Sequence, residues 1–308
     1  MSETDIGLWG VPLAILGGAI RVSTPFIFVS LGECLTERSG RINLGLEGTL
    51  VLGAMTAYAI AYHTGSPWAG VVAGALVGTV LGLIHGWICK FPRVNDLAVG
   101  IAMMLLGMGI AFFFGKPYIQ PTAPDLPAIE FGWWSEIPQV QAALKVNVLF
   151  LVGVAAAILM AWMLKSTRIG LIVRVVGDST DAARAMGLNP NLVRLLATAV
   201  GGALAGIGGA YLSLYYPGSW NEGISSGQGL MAVALVIFAR WNPMNCFWAA
   251  LLFGGAGALG PALQSVGVTQ GYYLFYAAPY VLTLGLLIAT SSRTQALAGA
   301  PGDLSFMK

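Results

Sequence analysis

Charge is what this sequence has least of. Of its 308 residues only 9% are Asp, Glu, Lys or Arg, against about 25% in soluble globular domains, so the chain cannot clothe an ordinary aqueous surface. Histidine is almost missing, with His63 and His85 far apart, and the three cysteines, Cys34, Cys89 and Cys246, are isolated. No CxxC pair or His-rich spacing occurs, which leaves no recognisable metal ligand set or disulfide framework. Neither histidine has a plausible catalytic partner nearby in sequence, so an intramembrane enzyme is not indicated. The sequence also lacks a GxxxxGK[ST] phosphate loop, and any use of ATP would need a partner chain. Its first ten residues, MSETDIGLWG, are acidic rather than basic, unlike a cleaved signal peptide.

What the chain has instead is apolar length. It is 57% hydrophobic, with a mean hydropathy of +0.78, and crossing roughly 30 Å of hydrocarbon takes about 20 such residues. Hydropathy and turn residues predict nine spans, near 9–32, 48–62, 68–89, 96–114, 147–164, 195–215, 228–239, 245–264 and 272–291. The seventh is short and reads as a broken helix or one that begins earlier, so eight to ten spans fit. The expected fold is therefore one all-α polytopic membrane domain over residues 1–308, in contact with membrane lipid. The net charge of +2 calls for no nucleic-acid partner, because the basic residues sit in loops as membrane orientation requires.

Those loops predict the orientation. The connection 166–194 and its flanks carry Lys165, Arg168, Arg174, Arg184 and Arg194, which marks it as cytoplasmic by the positive-inside rule. Alternation places Arg38, Arg41, Lys90, Arg93, Arg240, Arg293 and Lys308 on the same side. The loop 115–145, with Asp125, Glu130, Trp133, Trp134 and Glu136, and the loop with Trp220 and Glu222 fall outside. The N-terminus is then external and the C-terminus cytoplasmic. Arg21 stands within the first apolar run and must lie near an end of it, or face protein or water, since a charge at mid-membrane costs about 2.5–3.5 kcal/mol.

Glycine is abundant, at 42 residues, and regularly spaced. Gly70, Gly74, Gly78, Gly82 and Gly86 recur every four residues in the third span, and Gly202, Gly206 and Ala210 repeat the device in the sixth. Such stripes let helices pack backbone to backbone, and smooth faces also allow helices to slide. In the basic connection, Gly177 and Gly187 bracket the helix-prone run DSTDAARAM, where Asp178, Ser179 or Thr180 is suited to cap the N-terminus. Small Ala182, Ala183 and Ala185 give that helix a face able to enter a groove on a partner, although a plain surface helix would look the same.

The stretches ERSGRINLGLEG, VNDLAVGIAMMLLGMGI, GDSTDAARAMGLNPNLVRLLATAVGGALAGIGGAYLSL, GQGLMAVALVIFARWNP and PYVLTLGLL occur in order over residues 37–287. Together they resemble the permease subunits of bacterial ABC importers serving branched-chain amino acids, simple sugars and nucleosides, above all the smaller nucleoside-type permease. The resemblance implies a type II importer permease fold in the bacterial inner membrane, paired with a second permease as a heterodimer. It also implies a cytoplasmic ABC ATPase that carries ATP and Mg, an external substrate-binding protein, and no cofactor in this chain. The loop with Gly177, Asp178, Asp181, Ala182, Ala183 and Gly187 would hold the coupling helix that docks on the ATPase. Asn43, Glu47, Asn95, Asp96 and Gln228 would line the substrate path or its gate, for nucleosides or purine bases first and simple sugars or branched-chain amino acids second. The chain departs from the family at Asp178–Thr180, where Glu and Asn-Pro are common, at Asp96, where Gln is common, and at Gln228 and Leu230, where Arg and Phe are common. A stand-alone secondary transporter or channel is the reading of another class, with Asp96 and Glu47 as its only candidate carboxylates.

One stretch stands apart from the apolar pattern. TERSGRINLGLEG, residues 36–48, follows the first span, and Gly40, Gly45 and Gly48 allow the backbone to turn or unwind where protein or a cavity shields it. Asn43 or Glu47 would then meet substrate or a neighbouring helix, as in transporters built on interrupted helices. Alternatively Glu37, Arg38, Arg41 and Glu47 are solvated, or paired so as to hold two helix ends. Asp96 equally suits a plain cap on the fourth span.

Overall fold

The computed structural model describes residues 10–265, 275, 277–290 and 300–305. The chain runs through α1 (Gly10–Arg38), α2 (Leu46–Thr64), α3 (Pro67–Ile88), α4 (Asp96–Gly115), α5 (Pro138–Ala143), α6 (Val148–Ser166), α7 (Arg168–Asp178), α8 (Thr180–Ala185), α9 (Pro190–Leu214), α10 (Gln228–Phe238), α11 (Pro243–Ser265), α12 (Ala278–Thr290) and α13 (Gly302–Ser305). Among the described residues, α1, α3, α4, α6, α9 and α11 are long and apolar enough to cross a bilayer. The expected second span corresponds to α2, which has 19 residues. The expected seventh is indeed short: α10 has 11 residues, so at 1.5 Å per residue it covers about 16 Å, half the hydrocarbon thickness. Of the ninth, 278–290 is helical, and most of 272–277 lies outside the described residues.

Helix α9 is the axis of the bundle, with α1, α2 and α3 packed around it. The glycine stripes make this possible. A Cβ on Gly78 would overlap the carbonyl oxygen of Gly202, one on Gly202 would overlap that of Gly78, and Gly206 stands in the same relation to Gly74. From the other side, a Cβ on Gly53 of α2 would come within 2.8 Å of Gly206 Cα, and one on Gly32 of α1 within 2.6 Å of the Gly201 oxygen. The glycines thus seat the carbonyl oxygens of a neighbouring helix, and the faces interlock where the sequence pattern would also have allowed smooth ones. Most of the remaining core is apolar, with Phe28, Leu31, Leu46, Leu50, Tyr211, Leu235 and Phe253 wholly buried.

At one end of the bundle the loops 39–45, 89–95, 167–189 and 239–242 converge. Arg41 pairs with Asp96 at 2.6 Å, Arg194 Nε donates to the Ser39 oxygen at 3.0 Å, and Arg38 Nε donates to the Trp241 oxygen at 2.8 Å. Most of the basic residues used for the orientation gather here. At the opposite end the loop 115–145 is not all-α: Ala128–Glu130 and Lys145–Asn147 pair antiparallel, with Ile129 opposite Val146. The short α5 follows in the same loop, because Pro138 suits a first helical turn. Arg21 Nη2 donates to the Ala142 oxygen at the end of α5, so the charge inside the first apolar run faces this loop.

Candidate functional site

The polar stretch after α1 is helical further than its composition suggested. Helix α1 continues to Arg38 and carries Glu33 and Glu37, both buried, on successive turns. The chain then reverses: Gly40 has a φ of +86°, a left-handed conformation that favours glycine. Asn43 closes the reversal. Its backbone N–H donates to Glu33 Oε1 at 2.7 Å, and its side-chain oxygen accepts from Gly45 N at 2.9 Å, an Asx turn that leads into α2. Gly48, expected to help unwind the chain, lies inside α2, where a Cβ would overlap Met104 of α4.

Glu47, in the first turn of α2, is 4% exposed. Its carboxylate accepts from Ser225 Oγ at 2.6 Å, from Gly227 N at 3.1 Å and from Gly229 N at 2.6 Å. These are the residues around the start of α10, so Glu47 serves as that helix's cap from a distance, satisfying N–H groups that no residue of α10 reaches. The other end of α10 is held from the same stretch. Residues Arg240 and Trp241 take φ of 53° and 54°, and this turn lets the Trp241 indole N–H donate to Glu37 Oε2. With Arg38 on the Trp241 carbonyl, residues 37–47 grip both ends of the half-length helix.

Gln228, the first residue of α10, borders a cavity of about 160 Å³ lined also by Phe26, Tyr216, Phe253 and Tyr280. Its Oε1 is buried without a hydrogen-bond partner. The structure thus brings Glu47 and Gln228 together and places Asn43 one turn of chain from Glu47. Asn95 and Asp96 stand apart, at the basic end, with separate tasks: Asn95 Oδ1 caps α4 by accepting from Leu97 N at 2.8 Å and Ala98 N at 3.2 Å. Asp96, expected on the substrate path or as a plain cap, ties α4 to the reversal through Arg41.

The second group of residues lies on α7 and α8. Ser179 caps α8, accepting from Ala182 N at 3.2 Å, and Gly187 ends it with a φ of +75°. Two expectations change. Gly177 does not bracket α8 but lies within α7, where a Cβ would overlap the Arg38 carbonyl oxygen. Ala183 does not share an open face with Ala182: Ala183 is fully buried in the chain, while Asp181, Ala182, Arg184, Ala185 and Met186 are exposed. The segment of α7 and α8 therefore abuts the reversal, with Gly177 of α7 against Arg38 and Gly40.

Sequence reasoning missed Glu33, Trp241, Ser225 and Asp303. For Glu33 the signal was there, since an ionisable residue inside an apolar run is itself a functional hint; ending the first span at residue 32 hid it. No group of residues suited to a metal ion occurs among the described residues.

The family model described as branched-chain amino acid transport system, permease component, matches residues 15–291. The permease protein TsgC13 of Haloferax volcanii, provisionally named for a glucose ABC transporter, is 30% identical over 292 residues, covering 93% of this chain and 88% of that protein. The nucleoside ABC transporter permease NupC of Lactococcus lactis is 27% identical, covering 89% and 90% of the two chains. The guanosine ABC transporter permease NupQ of Bacillus subtilis is 28% identical, covering 92% and 93%.

Proposed function

The chain belongs to the family of branched-chain amino acid transport system permease components, and from that premise we propose that it is one permease subunit of an ATP-driven importer for nucleosides or purine bases. It has no catalytic role of its own. ATP and Mg are bound by a separate cytoplasmic ABC ATPase that docks on the exposed side of α8, an external binding protein delivers the solute, and a second, non-identical permease completes the path. The chain sits as a multi-pass protein in the bacterial inner membrane, with the basic end of the bundle in the cytoplasm.

One observation carries the mechanism: the stretch 37–47 holds both ends of α10 and also abuts the coupling loop at Gly177. A displacement of α8 by the ATPase would pass through α7, whose Gly177 touches Arg38 and Gly40, and from there to α10 through Glu37 and Glu47. Because α10 spans only half the hydrocarbon, shifting it opens or closes the cavity at Gln228. That cavity is smaller than the roughly 300–1,000 Å³ of most ligand sites, so it must widen for a solute to pass. The aromatic side chains among the cavity's lining, Phe26, Tyr216, Phe253 and Tyr280, suit a purine's flat faces, which supports the nucleoside reading beside the names of NupC and NupQ. Simple sugars are the second reading, favoured by the similarity to TsgC13.

The test is uptake by proteoliposomes that hold this chain with its second permease, ATPase and binding protein. Labelled guanosine should accumulate only with ATP inside the cytoplasmic compartment, and excess glucose should not compete. Competition by glucose with none by guanosine would move the assignment to sugars. Uptake without the ATPase would refute the importer reading.

A further inference from the structure

The coupling helix is too slight to place itself. Helix α8 has six residues, a turn and a half, and isolated helices under about 12 residues are marginal. Of its side chains only Ala183 is buried. Its position is therefore imposed by neighbours, and one neighbour comes from the far end of the chain. Asp303 in α13 pairs with Arg194 of α9, and Thr180, the first residue of α8, donates its hydroxyl proton to the same Asp303 oxygen. Arg194 Nη2 donates to Thr180 Oγ1 at 2.9 Å and to the Val176 oxygen of α7 at 3.4 Å, while its Nε reaches Ser39 in the reversal. The arginine side chain is only 11% exposed, so it needs an anion close by. An independent contact lies alongside: a Cβ on Gly302 would overlap the carbonyl oxygen of Asp178, at the joint between α7 and α8.

We propose that Ala300–Ser305 is a positioning clamp for the coupling helix, with the Asp303 carboxylate acting through Arg194 and Thr180 to fix α8 against the reversal at Ser39. The proposal rests on the permease reading and adds to it a residue that neither touches solute nor faces the ATPase. Arg194 is the hub: one guanidinium joins α9, α7, α8, α13 and the loop after α1, so the charge of Asp303 keeps the coupling helix and the grip on α10 in one register. Without that charge the arginine turns to other acceptors, and movement of α8 is no longer delivered in full to residue 39.

The test uses the complete importer in proteoliposomes, with solute uptake and ATP hydrolysis measured together. Asp303→Asn should leave ATPase co-purification and basal hydrolysis unchanged, while solute moved per ATP falls by about three- to tenfold, the size of effect that coupling residues show. Asp303→Glu, which keeps the charge, should restore most of the ratio, and removal of residues 300–308 should behave like Asp303→Asn. Unchanged uptake per ATP in both Asp303→Asn and the truncated chain would overturn the clamp. So would a loss that tracks a lowered melting temperature and equal loss of co-purified ATPase, since that pattern reports folding alone. Failure of the permease reading would show differently, as ATP-independent uptake by the unmodified importer.

Discussion

Replacing Glu47 by alanine removes the acceptor for three donors at once. Gly229 N–H and the Ser225 hydroxyl are buried, and Gly227 N–H is partly so. A buried donor left without a partner costs about 1–3 kcal/mol. Counting only the two buried ones, Glu47→Ala should lose roughly 2–6 kcal/mol, a large part of the 5–15 kcal/mol that typically holds a fold together. At roughly 2–4 °C per kcal/mol for a chain of this general size, the melting temperature should fall by at least about 4 °C. Glu47→Gln keeps one oxygen but turns an NH2 group toward a donor, so it should fall between alanine and the unmodified chain. The assay is thermal unfolding in detergent, followed by tryptophan fluorescence, in parallel with uptake. Gly229→Ala supplies a control of different origin, because its Cβ would stand 2.6 Å from Glu47 Cα and force the same helix start away by sterics. Unfolding of Glu47→Ala within a degree of the unmodified protein, with full uptake, would refute the argument that this carboxylate holds α10.

Three further outcomes are expected. Ala182→Trp should weaken ATPase docking with the fold intact, since Ala182 is exposed, whereas Ala183→Trp should lower expression and melting temperature because that side chain is fully buried; co-purification and thermal unfolding separate the two. In a background without the native cysteines, Trp133→Cys should react with an impermeant maleimide added outside, its position being 82% exposed, and Asp181→Cys should not; the reverse pattern would invert the orientation. Cys89, alone in a chain lacking Cys34 and Cys246, should resist maleimide at pH 8 until the protein is denatured. Cys89 is only 2% exposed, so the reagent cannot reach the sulfur in the folded chain, and prompt labelling in the folded state would contradict its burial.

The long helices were legible because twenty apolar residues in a row leave few other structures open to the backbone. So was α10, whose shortness is set by turn residues on both sides. What escaped was long-range. Hydropathy ended the first span before Glu33 because a carboxylate reads as a boundary, yet the glycine-cushioned contact of α1 with α9 and an N–H from Asn43 make a place for it inside. The two faces of α8 were not separable in a run of alanines, since nothing in the residue type tells which one the bundle covers. The link from Asp303 to Thr180 joins positions more than a hundred residues apart, and no local pattern announces it. The strands at Ala128–Glu130 and Lys145–Asn147 are too short to show a period.

The glycine seats between α3 and α9 bear on how such a bundle can move at all. Both stripes repeat every fourth residue, Gly74, Gly78, Gly82 on one helix against Thr198, Gly202, Gly206 on the other, and four residues rise about 6 Å. A displacement by one full repeat finds the same cushions again, whereas half a repeat drives carbonyl oxygens onto side chains. On that geometry the pair is expected to act as a detent, with settings about 6 Å apart. In the proposed importer, small strokes would then fall to α10, whose ends are tied through the side chains of Glu37, Arg38 and Glu47, and not to the interlocked pair of α3 and α9.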